Sequence, residues 1–276
     1  MIRRIPAWSL VASLALALAC ATVRNYTDPA GPRFAGSFGV PGPARAIKVV
    51  TFNVKFARHV DRAVEVLRET EVLRGADVIT MQEMDEAGTD RVARALGLNY
   101  VYYPGSRRAG KNFGNAILSP WPIQDDVKVL LPSRPRFGKL QRIAVAATVK
   151  VGELPLRVFS VHLDSPLATG GLGRRSQAGA VLEQASRSFE HVVVAGDFNN
   201  RGIVGPMFQS GGFAWLTRRV GHTISLWSWD HVFARGLRLQ DCASVGVVRN
   251  NRGASDHKPV WAIVVPADGP APDKCP

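Results

Sequence analysis

Residues 192–200 read VVVAGDFNN: a run of small and β-branched apolar residues, a glycine, then Asp197 and Asn199 two positions apart. Such a run closed by a turn residue is the pattern of a buried strand delivering polar side chains at its end. The pattern returns along the chain. VTFNVKF (50–56) carries Asn53, ITMQEMD (79–85) Glu83, FSVHLDS (159–165) His162 and Asp164, and WSWDHVF (227–233) Asp230. GASDHKPV (253–260) sets Asp256 and His257 just ahead of an apolar run. Polar residues repeated at strand ends point to one rim assembled from distant parts of the chain. Carboxylate and amide oxygens suit a hard divalent cation, and imidazole suits proton and charge work at a phosphate ester. No Ser or Cys stands in a nucleophile motif.

Working outward, the pattern predicts strands at 47–55, 76–82, 99–103, 116–118, 143–151, 156–163, 191–195, 230–234, 239–248 and 260–265. Val60, Val64 and Leu67 stand at helical spacing with Gly75 as a stop signal, and 90–96 and 174–189 read as further helices. His231 alternates to the opposite strand face from Asp230 and reads as structural.

Ahead of residue 46 the sequence changes character. Arg3 and Arg4 precede an uncharged stretch from Ile5 to Ala19, too short for a membrane span and shaped as an export signal. LALAC (16–20) looks like a bacterial lipoprotein box, with Ala17 where Leu is usual, so Cys20 is the expected lipidation site. Residues 20–45 hold four Pro and four Gly and read as a tether. The expected division is a signal peptide at 1–19, the tether at 20–45, one domain at 46–266 and a tail at 267–276. The expected location is the cell envelope, anchored to a membrane in the periplasm or at the outer membrane, with secretion as the alternative. With Cys20 lipidated, Cys242 and Cys275 remain as an even pair in a compartment where disulfides persist.

The formal net charge is +13. That balance attracts polyanions and anionic membranes. Eight basic residues lie between Arg107 and Arg142 against Asp125 and Asp126, in a segment that reads largely as loop.

The motifs together, with GNAILSPWPI (114–123), resemble the endonuclease/exonuclease/phosphatase superfamily over roughly residues 46–266. The resemblance implies an α+β fold, a four-layer α/β/β/α sandwich of two mainly antiparallel sheets flanked by helices, in a monomer. It implies a phosphoesterase in which Glu83 and Asn53 hold Mg2+ (Mn2+ as a substitute), with Asp256 facing the same region. Glu83 and Asp256 show no obvious Lys or Arg partner, so the cation is expected to supply the missing charge. On the family pattern Asp197 orients or deprotonates the attacking water, and Asn199 binds a phosphate oxygen. His257 contacts the scissile phosphate, Asp230 pairs with that imidazole, and His162 is a second imidazole at the phosphate. Asn115 and Arg142 are expected substrate contacts. Two substrate classes stay open: a lipid or sugar phosphate at a membrane, or DNA cleaved by an exported endonuclease. Where some DNase I-like nucleases carry an Arg on the DNA backbone, this chain has Asp85. A reading from a different class is a non-catalytic phosphate-binding module.

Overall fold

The computed structural model describes residues 23–43, 46–132 and 140–267. The expected leader at 1–19, Cys20, and Cys275 in the tail lie outside these residues. Cys242 is disulfide-bonded.

In chain order the elements are β1 (Val23–Asn25), β2 (Phe34–Gly36), β3 (Ile47–Asn53), α1 (Val60–Glu69), β4 (Val78–Met84), α2 (Glu86–Leu96), β5 (Asn99–Arg108), β6 (Lys111–Ser119), β7 (Ile123–Leu130), β8 (Ile143–Val151), β9 (Leu154–His162), α3 (Gly171–Ala185), β10 (His191–Asp197), α4 (Val204–Ser210), β11 (Ala214–Trp215), β12 (Asp230–Arg235), β13 (Leu237–Leu239), β14 (Val245–Val247) and β15 (Val260–Pro266). One sheet runs β1-β5-β6-β4-β3-β15-β13, with β2 also on β5 and β14 also on β15. The other runs β11-β12-β10-β9-β8-β7. Strand pairs are antiparallel except β3 with β4 and β9 with β10.

Three apolar layers hold the sandwich together. Between the sheets, Val49, Ile117, Val145, Val158 and Val193 form one cluster. Outside the first sheet, Val50, Phe52 and Met81 meet Val66 and Leu67 of α1 and Val92 of α2. Outside the second, Phe159, Val194 and Phe233 meet Val181 of α3 and Phe208 of α4. Val49 and Val50, adjacent in β3, thus face different layers, as the two-residue period of a strand requires. Both faces are covered, so the central strands read as unbroken apolar runs.

Four expectations are corrected. The 20–45 stretch is not a free tether along its length: β1 pairs with Ser106–Arg108, β2 pairs with Tyr100–Tyr102, and Arg33 meets Asp126 at 2.6 Å. Pro- and Gly-rich composition leaves room for three-residue strands that cover the flank of β5. The segment around residues 107–142 carries β6 and the edge strand β7 rather than mostly loop; Arg134, Arg136 and Lys139 lie outside the described residues. The 239–248 run is divided into β13 and β14, both paired with β15, because Asp241 turns the chain between them by accepting from Ala243 N and Ser244 Oγ. The helix expected at 90–96 starts at Glu86, since Asp85 is its N-cap and accepts from Gly88 N at 2.7 Å.

His231 is buried on β12. Its Nδ1 accepts from Trp215 Nε1 at 3.3 Å, and its Nε2 lies 3.2 Å from Asn200 O. One nitrogen accepting and the other donating is the neutral tautomer. Burial pushes its pKa down from 6.5 to about 4. The neutral ring's contribution is therefore full above pH 6.5 and is lost as the pH falls toward 4, where the unfolded chain takes up a proton that the folded chain does not. The shift corresponds to about 3 kcal/mol. Denaturant titrations across that range are expected to show wild type losing more stability than His231→Asn, which keeps one donor and one acceptor without titrating.

Candidate active site

The second sheet puts three polar residues in one row. Asp197 at the end of β10 is register-paired with His162 on β9 and with Asp230 on β12. Gly196, at φ +152°, precedes Asp197, and a Cβ there would sit 2.0 Å from Val161 O; only glycine lets the parallel strands close at this point. The first sheet brings up Asn53 and Glu83. Glu83 has φ +59° where the β4–β6 register shifts between Gln82 and Met84. A bulge of this kind re-aims a side chain, at a local conformational cost of about 1–3 kcal/mol. Asn199 is also left-handed, at φ +48°.

These groups meet across the sandwich. Asn53 Nδ2 donates to Asp197 Oδ2 at 3.1 Å and lies 3.3 Å from Glu83 Oε1. Phe56 N donates to Glu83 Oε2 at 3.1 Å. Asn199 donates its backbone N–H to Asp197 Oδ1 at 2.8 Å, and its amide goes to Leu163 O and Asp197 Oδ2. His162 Nε2 lies 3.5 Å from Asp197 Oδ2 and 3.8 Å from Glu83 Oε1. His257 Nδ1 is 2.8 Å from Asp230 Oδ2, and its Nε2 is 3.7 Å from Asp197 Oδ2.

Burial and charge set the protonation states. Burial pushes the Asp197 carboxyl up to about 7; His257 opposes this, while Asp230 and Glu83 add to it. Burial works against a charged His257, but Asp230 and Asp197 outweigh it and raise the imidazole to about 10. Burial, then Arg142 and His257, keep His162 neutral, well below the usual histidine range. The site therefore contains one imidazolium and one neutral imidazole beside crowded carboxylates.

Not every expected residue joins the cluster. Asn115 donates its amide to Ile143 O and Ser160 O at 3.0 and 3.1 Å, so it ties the sheets together rather than offering donors to a phosphate. Asn199, expected on a phosphate oxygen, has its amide committed to Leu163 and Asp197. Arg142 is at the site: its Nη1 lies 3.1 Å from both ring nitrogens of His162, and its Nε meets Asp164 at 3.2 Å. Asp164 is fixed in turn by Gln177. Asp256 does have a cationic partner. Lys55 Nζ sits 2.8 Å from its half-exposed carboxylate; burial would raise that carboxyl, but Lys55 and His257 hold it below the usual range.

Gln82, Ser160, Gln177 and Lys55 escape sequence reasoning. The first two bond across the sandwich at 3.1 Å. Lys55 lies in the same motif as Asn53, yet only folding brings it to Asp256.

The oxygen donors suit a hard cation. The carboxylates of Glu83 and Asp197 converge on the Asn53 amide, whose Nδ2 faces them while its Oδ1 accepts from Lys55 N; Asp197 is crowded by two further carboxylates, and the nearby Arg142 and Lys55 are engaged elsewhere. Asp197, Asp230 and His257 also offer ligand atoms within 4.8 Å of one another. Both Asp230 oxygens face His257 Nδ1, however, and an oxygen-seeking ion is better served by the first set.

Comparison with known proteins places this geometry. A model described as the endonuclease/exonuclease/phosphatase family matches residues 50–257. No curated protein matches the chain. Among solved structures, an endonuclease/exonuclease/phosphatase from Beutenbergia cavernae is similar at 21% identity and a TM-score of 0.62, over 80% of this chain and 72% of that one. TDP2 of D. rerio complexed with single strand DNA product is 17% identical with a TM-score of 0.62, over 79% and 98%. The human Nocturnin catalytic domain with bound sulfate anion is 17% identical with a TM-score of 0.61, over 85% and 98%. At these identities the likeness is one of fold.

Proposed function

The chain belongs to the endonuclease/exonuclease/phosphatase family, and from that premise we propose that it is a metal-dependent phosphoesterase of the cell envelope that hydrolyses phosphate esters by in-line attack of water. The observation that carries this reading is the contact set of Asn53, Glu83, His162, Asp197, Asp230 and His257, drawn from both sheets and buried except for the partly exposed Glu83. Asp197, held by Asn199 and Asn53, orients the water and accepts its proton. His257, kept charged by Asp230, donates from Nε2 to a phosphoryl oxygen, where negative charge develops. His162, neutral and placed by Arg142, offers a second ring nitrogen beside the same carboxylate. Glu83 and Asp197 would hold Mg2+ or Mn2+, with the Asn53 amide fixing the two carboxylates; the ion when bound offsets phosphate charge and stabilises the leaving oxygen.

The test is hydrolysis with and without metal. Exhaustive EDTA treatment is expected to cut turnover more than about 100-fold, with recovery on adding Mg2+, since the ion contributes several kcal/mol of charge stabilisation. Glu83→Gln is expected to raise the Mg2+ concentration needed while leaving the fold intact. Full activity after chelation would remove the metal from the mechanism. No hydrolysis of duplex DNA, single-stranded DNA, sphingomyelin or inositol phosphates would leave the non-catalytic module standing.

One observation favours a nuclease. Arg58, Arg108 and Lys111 surround Phe56 and Phe113 in a cleft of about 390 Å3, with both guanidinium groups 5.7 Å from the Phe56 ring. The Phe113 ring also lies 5.8 Å from the His162 ring, tilted by 48°. Cations interleaved with aromatic rings suit a nucleic-acid strand.

Anchoring through Cys20 remains part of the proposal, with the domain acting as a monomer. Cys20→Ser is expected to move the protein from the membrane to the soluble fraction, or to stall precursor processing. Unchanged fractionation with a mature N-terminus elsewhere would end the anchor reading.

A further inference from the structure

Beside Asn199 lies a second cleft, of about 860 Å3. Its rim carries Leu167, Leu226 and Trp227, which are 86%, 74% and 60% exposed. Leu172, in the first turn of α3, is equally bare at 85%. Single exposed apolar residues are ordinary, but several projecting around one cleft beside a reaction centre are not.

The hairpin that presents two of them is built for display. Ile224 and Trp227 exchange backbone hydrogen bonds, with Trp227 N on Ile224 O at 2.7 Å and Ile224 N on Trp227 O at 3.0 Å. That leaves Ser225 and Leu226 as a two-residue tip, with Ser225 at φ +43°. Such tips ordinarily use Asn, Asp or Gly, whose backbone or short polar side chain suits the turn. A solvated leucine there does nothing for the turn. The hairpin is also fastened to the reaction centre. Thr223 Oγ1 accepts from Trp229 N and Asp230 N, Thr223 O accepts from Lys258 N, and Ile224 bridges to His257. The tip therefore holds a fixed position relative to the Asp230–His257 pair.

The cleft lining carries two arginines. These are the exposed Arg201, whose Nη2 donates to Arg218 O, and the buried Arg174, whose Nη1 donates to Thr169 O and whose Nε has no partner among the described residues. Bare aliphatic tips beside arginines match an anionic lipid surface: leucines enter the acyl region and arginines meet headgroup phosphates. Nucleobases would stack on Trp227 but have no use for Leu167 and Leu226. We propose that the Thr223–Trp229 hairpin and the loop at Leu167 dock this protein on an anionic phospholipid bilayer, so that the cleft beside Asn199 receives a lipid phosphodiester. The docking stands on the rim alone; what happens to the lipid rests on the phosphoesterase reading.

The test uses the full chain with phosphatidylglycerol vesicles brominated in the acyl chains, reading tryptophan quenching. An N-terminal anchor would bind the vesicles in every arm, so the comparison is wild type against Trp227→Phe, which keeps the rim apolar. Trp227→Phe is expected to lose at least half of the quenching. Leu167→Ser with Leu226→Ser is expected to weaken the vesicle dependence of the Trp227 signal about tenfold or more, while hydrolysis of soluble bis(4-nitrophenyl) phosphate stays at the wild-type rate. Equal quenching of wild type and Trp227→Phe would overturn the proposal. So would a Trp227 signal given by a single-stranded oligonucleotide and not by lipid, which assigns the cleft to base stacking. Lipid quenching by a wild-type protein that cleaves neither the soluble diester nor DNA, sphingomyelin or inositol phosphates supports the docking and overturns the phosphoesterase reading instead.

Discussion

Replacing Asp197 by Asn is expected to cut turnover about 10²–10⁴-fold, the range for losing a positioned general base, with little change in melting temperature. The two effects separate because of what surrounds the carboxylate. Oδ1 accepts from Asn199 N at 2.8 Å, and an amide oxygen can keep that bond. Oδ2 accepts from the amides of Asn53 and Asn199, and an Asn at 197 would present a donor to those donors. That loss is offset by removing a carboxylate from a buried site; burial first, and then Asp230 and Glu83, raise the Asp197 carboxyl to about 7. A proton acceptor is gone while volume and the bond from Asn199 N stay. Turnover of bis(4-nitrophenyl) phosphate and a thermal melt on the same sample decide the matter. Near-wild-type turnover would sink the assignment of the site.

How far such a site can be read from sequence depends on which physical constraint wrote it. VVVAGDFNN is legible because β10 is covered on both faces, and burial forces an apolar run up to the residue that leaves the core. The same holds for β3, β4 and β9, which carry Asn53, Glu83 and His162 at or next to their ends. Edges are less legible. β7 reads IQDDVKVL because solvent permits polar residues there, and β1 and β2 hide in Pro- and Gly-rich sequence because they need only three residues each. Chemistry at a strand end is ambiguous for a related reason. Asn53 and Asn115 have the same side chain in similar motifs, and only the pairing of Asn115 across to Ile143 and Ser160 distinguishes a strut from a site residue. The Lys55–Asp256 pair depends wholly on the meeting of distant segments. The bulge that gives Glu83 its positive φ has no turn residue to announce it, since ITMQEMD reads as a regular strand that simply ends there.

The second large effect concerns Asp230 and His257, expected to behave as one unit. Both Asp230 oxygens lie within 3.1 Å of His257 Nδ1, and the two residues are buried together. On this reading Asp230 never touches substrate; it acts by orienting the ring and keeping it charged. Against burial, Asp230 and then Asp197 raise the imidazole to about 10; Asp230→Asn removes the larger of the two, so His257 loses imidazolium character. His257→Ala removes the donor itself. Each variant is expected to lose about 10²-fold or more in turnover. Groups acting as a unit are strongly non-additive, so the double variant is expected to be hardly slower than His257→Ala. Independent action would instead multiply the losses to about 10⁴-fold or beyond. Stability provides a separate check. His257→Ala strands a buried carboxylate and is expected to lose about 3–5 kcal/mol, much of which Asp230→Asn restores in the double variant by removing that charge. Rates must therefore be compared below the lowest melting temperature of the set. A pair that is non-additive in stability but multiplicative in turnover would be a structural contact only, with no share in the reaction through His257.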